Sequence, residues 1–142
     1  MELATALEYA ATTKHSVLTT LRRDGRPQLS NVLHVTGPDG RIRISITADR
    51  AKYFNLRREP WAALHVTAAD FYSYVVLESR VELTEVATTP DDPAVDALVD
   101  YYREALGEHE DWDDYRRAMV RDRRVLVTLI PERAYGMLEL PR

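Results

Sequence analysis

Hydroxyl and cationic side chains follow one another closely between Ser45 and Lys52. Ser45 and Thr47 alternate with isoleucines, so the two hydroxyls share one face of a predicted strand. Arg50 and Lys52 come next, across a turn and at the start of a short predicted helix. Hydroxyls, paired cations and the N–H groups at a helix start are donors that bind phosphate. The segment therefore predicts an anion site, although a solvated helix face is the commoner origin of such a cluster.

A second predicted strand carries amide and hydroxyl side chains on both faces, over residues 28–33. Strand parity places Asn31 with Leu29 on the apolar side, where a buried amide needs hydrogen-bond partners. Either Asn31 is a core amide bonded to the backbone, or it meets the polar edge of a bound heteroaromatic ring. Gln28 and Ser30, on the opposite face, add further donors.

Two phenols, Tyr72 and Tyr74, are predicted on one face of a later strand. Aromatic side chains of this kind can form the wall of a site for a planar ligand. For either tyrosine taken singly, packing in the core or in a dimer interface is the commoner role.

The sequence lacks the usual arrangements of catalytic side chains. There is no cysteine, so no disulfide, thiolate metal site or thiol nucleophile can form. The four histidines lack the spacing of a metal-binding pair, so we expect no metal site. No nucleophile elbow, Walker A loop or dinucleotide-binding glycine motif occurs. The sequence thus offers donors for an anion and a planar ring but no recognisable set of catalytic side chains. This combination is typical of an enzyme whose cofactor performs the chemistry.

Length and composition restrict the class of protein. The chain has 142 residues, 45% hydrophobic and 30% charged, which predicts one globular domain over residues 1–142 and excludes a disordered chain. The net charge of −4 argues against general nucleic-acid binding, and no apolar run is long enough to span a membrane. Without a signal-peptide pattern or any cysteine, the chain is expected to be cytoplasmic.

The elements that must position these residues are mainly strands. Hydrophobic periodicity and turn signals predict six strands, over residues 16–21, 28–36, 41–48, 61–67, 72–85 and 124–130, the last ended by Pro131. Helices are predicted over residues 2–13, 50–58 and 93–106, and after Asp111. Three consecutive hairpin-like connections favour an antiparallel sheet, and six strands with few helices favour a small closed or split barrel.

Several segments together resemble the pyridoxamine 5′-phosphate oxidase-like family, and most closely its coenzyme F420-binding branch. They are Asp24 to Val32, Arg50 to Lys52, Asn55 to Arg58, Tyr72 to Tyr74, Gly107 to His109, Asp111 to Arg116, Asp122 to Leu126, and Tyr135-Gly136. The resemblance covers nearly the whole chain. It implies a mainly β (α+β) fold, an FMN-binding-like split β-barrel with short flanking helices, and a homodimer with two cofactor sites at the interface.

The resemblance also implies roles for individual residues. The segment Arg50-Ala51-Lys52, with Ser45, would hold the phosphate of the cofactor. The strand residues Gln28, Ser30 and Asn31 would face the flavin or deazaflavin ring. Tyr74 and Arg124 would reach the site from the partner subunit or its rim, and Arg124 is assigned on the resemblance alone.

The function implied is a reductase in which coenzyme F420 passes a hydride to a conjugated or heteroaromatic small molecule. Water or a phenol such as Tyr74 would deliver the proton. One alternative is an FMN-binding enzyme of the same fold, and another is an F420-binding carrier without turnover. No membrane or nucleic-acid partner is expected.

Overall fold

The computed structural model describes residues 1–138 and contains four helices and seven strands in that part of the chain. The helices are α1 (Leu3–Ala10), α2 (Ala51–Arg58), α3 (Pro93–Leu106) and α4 (Trp112–Arg121). The strands are β1 (His15–Leu21), β2 (Pro27–Leu33), β3 (Val35–Thr36), β4 (Ile42–Thr47), β5 (Trp61–Thr67), β6 (Tyr74–Leu83) and β7 (Arg124–Met137). Among the residues described, no helix is both long and apolar enough to cross a lipid bilayer.

All seven strands form one curled antiparallel sheet in the order β2-β1-β5-β6-β7-β4-β3. The sheet curls into a half-barrel, as predicted for a split barrel. Its two edges are β2 and the two-residue strand β3. Because β3 pairs only with the first residues of β4, the rest of β4 is also free on that side.

The concave face of the sheet encloses the main core. Ile42, Ile44 and Ile46 alternate along β4 and are buried, as the sequence predicts. They pack with apolar residues of the other strands and with α1. A second cluster lies between the sheet and the helix pair α3–α4, where Leu98 and Leu126 are buried. Burial of apolar surface on this scale is the main stabilising contribution to the fold.

The strand predicted over residues 28–36 is broken at His34, which separates β2 from β3. The imidazole turns into the interior and is completely buried. Its Nε2 lies 2.9 Å from the Ala10 carbonyl oxygen, which only accepts, so Nε2 donates. Nδ1 therefore accepts from the Ser16 hydroxyl at 2.7 Å. Two internal hydrogen bonds thus hold the break in place against α1 and β1.

The face assigned to Asn31 is corrected by the pairing of β2 with β1. Leu18 pairs with Ser30 and is completely buried, and directly opposed residues share a face of a sheet. Ser30 therefore lies on the core side, while Leu29 and Asn31 point outward and are exposed. The sequence-based assignment failed because Leu29 points outward on an edge strand, so polarity alone does not identify the core face of β2.

The prediction that Pro131 ends the last strand is wrong, because β7 continues to Met137. The pairing of β7 with β4 stops at Leu129, so from there β7 is paired only with β6. A residue without an N–H group is tolerated where one side of the strand is unpaired. Pro131 also lies opposite Ser79, next to a register shift in the pairing of β6 with β7.

Gly136 is required where β6 and β7 approach each other. Its φ is +154°, and a Cβ atom there would overlap the Tyr74 carbonyl oxygen and lie 2.8 Å from the Val75 Cα. The neighbouring groups are backbone atoms, which cannot move aside as a flexible side chain would. The glycine therefore allows the pairing that fixes Tyr74 at the start of β6.

Protonation of His34 is expected to destabilise the fold. Burial, more than any other cause, lowers the pKa of His34 below 6.5. The unfolded chain therefore takes up the proton at a higher pH than the folded protein does. The contribution of neutral His34 to the free energy of unfolding is complete above about pH 6.5, and it is lost as the pH falls through the lowered pKa.

We expect His34→Gln to lower the free energy of unfolding at pH 8 by about 1–3 kcal/mol. The same substitution should flatten the pH dependence of this free energy between about pH 5 and pH 7. Urea unfolding across this range measures both effects. The exposed neighbour His15 provides the control, since His15→Gln should keep most of the wild-type slope. A wild-type slope in His34→Gln would contradict the assignment.

Candidate functional site

The sheet edges enclose a cavity of about 210 Å³ between β2 and β4. Its lining combines the end of β2, the end of β4, the start of α2 and the first residue of β7. The residues are Asn31, Val32, Leu33, Ser45, Ile46, Thr47, Arg50, Lys52 and Arg124. The cavity thus brings together Asn31, Ser45, Thr47, Arg50, Lys52 and Arg124 from the set predicted from the sequence.

Strand pairing places the cations beside the hydroxyls. Thr47 of β4 lies directly opposite Arg124 of β7. Beyond this pair the Ala48 amide donates to the Arg123 carbonyl oxygen at 3.0 Å, and the chain turns into α2. Arg50 is the N-cap residue of α2, and its side chain makes no capping hydrogen bond. The first N–H groups of α2 therefore have no side-chain acceptor at this terminus.

Arg50, Lys52 and Arg124 form a cation cluster, and the exposed Asp49 carboxyl is its acidic neighbour. None of the three makes an ion pair with a carboxylate of residues 1–138. Burial, followed by the charges of Arg50 and Arg124, lowers the pKa of Lys52. The Asp49 carboxyl nearby has a lowered pKa, chiefly because the Thr47 hydroxyl bonds to it, with a smaller effect of Arg50.

Arg124 adds an unsatisfied donor to this positive charge. Its Nε is buried and has no hydrogen-bond partner among the residues described. The same guanidinium makes one long contact, from Nη1 to the Ser45 carbonyl oxygen at 3.5 Å. Since buried donors are nearly always paired in folded proteins, an orphaned N–H in a cluster of three cations fits an anionic ligand such as a phosphate.

A shallow groove of about 680 Å³ continues from the cavity across the outer face of the sheet. The two share the β2 residues Asn31, Val32 and Leu33. The groove extends to His65 and Thr67 on β5. A ligand with an anionic end and a flat end could therefore place the anionic end against the cation cluster and the flat end against the sheet face.

Tyr74 does not line the cavity. It borders the groove, because its ring centroid lies 5.3 Å from that of His65. The sequence reasoning missed His65, although its alternation with Leu64 and Val66 marks it as an outward residue. Its place beside Asn31 depends on both strands pairing with β1, which no local pattern reveals. Tyr72 does not share the strand with Tyr74, because it lies in the preceding turn and is exposed.

Three further predicted residues lie outside the lining of the cavity. Ala51 is exposed as the first residue of α2, where only its backbone can contribute. Gln28 and Ser30 lie on the core side of β2 and are hydrogen-bonded to each other, Nε2 to Oγ, at 3.0 Å. Their amide and hydroxyl are thus already engaged within the protein.

A larger cavity, of about 1070 Å³, lies on the other side of α2. Of the positive patch predicted from the sequence, it contains only Arg57, and none of the residues assigned to the cofactor's phosphate or ring lines it. Arg57 and Arg123 line it together with the carboxylates of Glu85 and Asp92, so its charges balance. The smaller cavity therefore carries the stronger signal for an anionic ligand.

Comparisons with known proteins agree with this fold. A family model described as pyridoxamine 5′-phosphate oxidase matches residues 4–137. A conserved hypothetical protein of Mycobacterium tuberculosis is 23% identical, with a TM-score of 0.72, over 96% of this chain and 84% of that one. An F420 reductase is 24% identical, with a TM-score of 0.61, over 90% and 94% of the two chains. A heme storage protein of Vibrio cholerae is 16% identical, with a TM-score of 0.68, over 96% and 95%.

The lowered pKa of Lys52 makes anion binding sensitive to alkaline pH. We expect the affinity for inorganic phosphate to fall as the pH rises through this pKa, because the cluster then loses one positive charge. Thermal shifts with phosphate between about pH 8 and pH 10 measure the effect. Lys52→Arg, which stays charged, should bind phosphate with a flat profile over the same range. An unchanged profile in Lys52→Arg would assign the titration to another group.

Proposed function

Because the chain belongs to the pyridoxamine 5′-phosphate oxidase family, we propose that it is an oxidoreductase that uses coenzyme F420. The F420 reductase among its structural neighbours supports the choice of cofactor. The acceptor would be a conjugated or heteroaromatic small molecule. The proposal depends above all on one observation, the cation cluster with the orphaned Arg124 Nε.

The residues of the cavity fit the phosphodiester of this cofactor. Lys52, Arg50 and Arg124 would supply positive charge, and the buried Arg124 Nε would gain the acceptor that it lacks. The Ser45 hydroxyl and the first N–H groups of α2 would complete the set of donors, and the Thr47 hydroxyl would join them if it exchanged its bond to Asp49 for one to the phosphate. Binding would then relieve the mutual repulsion of the three cations.

The flat part of the cofactor would lie in the adjoining groove, beside Asn31 and His65. When bound in its reduced form, coenzyme F420 would supply a hydride to the acceptor. The protein would hold the ring against the sheet and place the acceptor beside it, a positioning effect that accounts for much of such catalysis. Tyr74, beside His65, is our proposed source of the proton, with water as the alternative.

We expect Lys52→Ala to weaken the binding of F420 by at least about tenfold, because a charged hydrogen bond to phosphate is lost. Fluorescence titration of the cofactor-free protein measures the affinity. The matched control is Lys14→Ala, which removes the other lysine of the chain, an exposed one outside the cavity. Equal affinities for the two variants would contradict the assignment of Lys52 to the phosphate of the cofactor.

FMN is the second candidate cofactor, and the size of the cavity favours it specifically. A volume of about 210 Å³ suits the terminal phosphate of FMN, whereas the phosphodiester of F420 continues into a tail that would have to leave the cavity. A yellow protein as purified, or saturable binding of FMN with weak binding of F420, would establish this alternative. Tight binding of F420 without reduction of any acceptor in a broad panel would instead indicate a carrier.

The outer face of the sheet supports the proposal of a homodimer. Leu29 of β2 and Tyr135 of β7 lie on this face, and they are 60% and 50% exposed. The groove with His65 crosses the same face. A second copy of the chain that covered it would bury this apolar surface and close the groove from one side.

Leu29→Glu should convert the dimer to a monomer, because a charge would be buried in the interface. Leu106→Glu is the matched control: Leu106 has a similar exposure, 62% against 60%, but lies at the end of α3. Light scattering at micromolar concentration should show a dimer for the wild type and for Leu106→Glu. A monomeric wild type would contradict the homodimer.

A further inference from the structure

One row of outward-facing residues crosses the floor of the groove. Val17 of β1 lies directly opposite Asn31 of β2 and also directly opposite His65 of β5. Directly opposed residues share a face of a sheet, and all three residues line the groove. Because neighbouring strands lie about 4.8 Å apart, the backbones that carry the amide and the imidazole are roughly 10 Å apart. The groove therefore has a small apolar residue in the middle of its floor and a different polar group on each side.

The His65 imidazole places a hydrogen-bond donor on the β5 side of the groove. Its Nδ1 lies 3.4 Å from the hydroxyl oxygen of Thr67, which also lines the groove. When this hydroxyl donates to Nδ1, the neutral imidazole carries its hydrogen on Nε2. Within residues 1–138 no acceptor is bonded to Nε2. The half-buried ring thus has one nitrogen held by the protein and one N–H available to a ligand.

Among the residues described, no carboxylate lines the groove. The lining consists of apolar residues, hydroxyls, an amide and two histidines, His15 and His65. Glu78 of β6 is diagonal to His65 on the same face, because Glu78 pairs with Ala63 and Val76 pairs with His65, but Glu78 does not line the groove. An oxygen anion beside His65 would therefore meet a donor without an acidic side chain in the lining to repel it.

The two candidate cofactors differ at one end of the ring. The pyrimidine ends of F420 and FMN carry the same carbonyl and N–H groups, with which an amide such as that of Asn31 can pair. At the opposite end F420 carries an ionisable hydroxyl, whereas FMN carries methyl groups. An imidazole N–H can donate to the hydroxyl oxygen, but against methyl groups it would lose water and gain no acceptor. The chemistry on the β5 side of the groove thus favours F420.

We propose that His65 is a specificity-determining residue that selects coenzyme F420 over FMN by donating from Nε2 to the oxygen of the ring hydroxyl. Asn31, which lines both the groove and the cation cavity, would then pair with the pyrimidine end of the same ring. This inference rests on the proposed function, since it assigns the two ends of the ring of that cofactor. It also supplies a preference that the cavity, whose volume suits the phosphate of FMN, does not give.

The substitution His65→Leu removes the donor and keeps an apolar side chain in its place. We expect it to weaken the binding of F420 by about tenfold and that of FMN by less than about twofold, because only F420 offers an oxygen at this end of the ring. His65→Gln, whose amide can donate from nearly the position of Nε2, should retain most of the preference for F420. Fluorescence titration of the cofactor-free protein with each cofactor measures these affinities.

The absorption spectrum of bound, oxidised F420 provides a readout that needs no turnover, because the spectrum changes when the ring hydroxyl ionises. A hydrogen bond from His65 stabilises the ionised form. At a pH where half of the free cofactor is ionised, the wild type should therefore hold a larger ionised fraction than His65→Leu. His15→Leu is the matched control, since it removes the other histidine of the groove, and it should change neither the affinities nor the spectrum.

These measurements separate failure of the inference from failure of the proposed function. If the wild type binds neither cofactor, or binds FMN alone, the proposed use of F420 fails and takes the inference with it. If the wild type binds F420 but His65→Leu weakens both cofactors equally or leaves the spectrum unchanged, only the inference fails. A His65→Leu protein that is folded by circular dichroism and has lost affinity for F420 alone would support the inference.

Discussion

The mutual repulsion of Arg50, Lys52 and Arg124 is the constraint on which the rest of the site depends. Like charges held together in a partly buried cavity raise the free energy of the folded protein, and no carboxylate of residues 1–138 pairs with them. The core must offset this cost, and Ile42 and Leu129 at the β4–β7 pairing are completely buried. An anion that entered the cavity would convert the repulsion into binding energy, a common reason for strain at a functional site.

The two walls of the cavity are held by different means. The β4–β7 register holds one wall, since it sets Arg124 opposite Thr47. The other wall is the free edge strand β2, which the rest of the sheet cannot fix on that side. Its end is held by the Tyr101 hydroxyl of α3, which donates to the Leu33 carbonyl oxygen at 3.2 Å, and by the buried His34 that follows. The helical layer and α1 thus contribute to the site without lining it.

The sequence predicted the parts of this arrangement that depend on local order. Alternation identified β4, the helix predicted over residues 93–106 is α3, and the predicted donors from Ser45 to Lys52 line the smaller cavity together. Features that depend on distant partners could not be predicted. The outward face of Asn31 follows from the pairing of β2 with β1, and the break at His34 follows from contacts with α1. The hydrogen bonds that join Asn55 to Thr20 and Thr20 to Gln28 require a helix and two strands to meet.

The central claim is that the cation cluster holds the phosphate of a deazaflavin cofactor. A crystal structure of the protein grown with coenzyme F420 tests it most directly. The account predicts the phosphodiester within hydrogen-bond distance of Lys52 Nζ and Arg124 Nε, with the ring in the groove beside Asn31. A phosphate bound elsewhere, for example beside Arg57 in the larger cavity, would contradict the account.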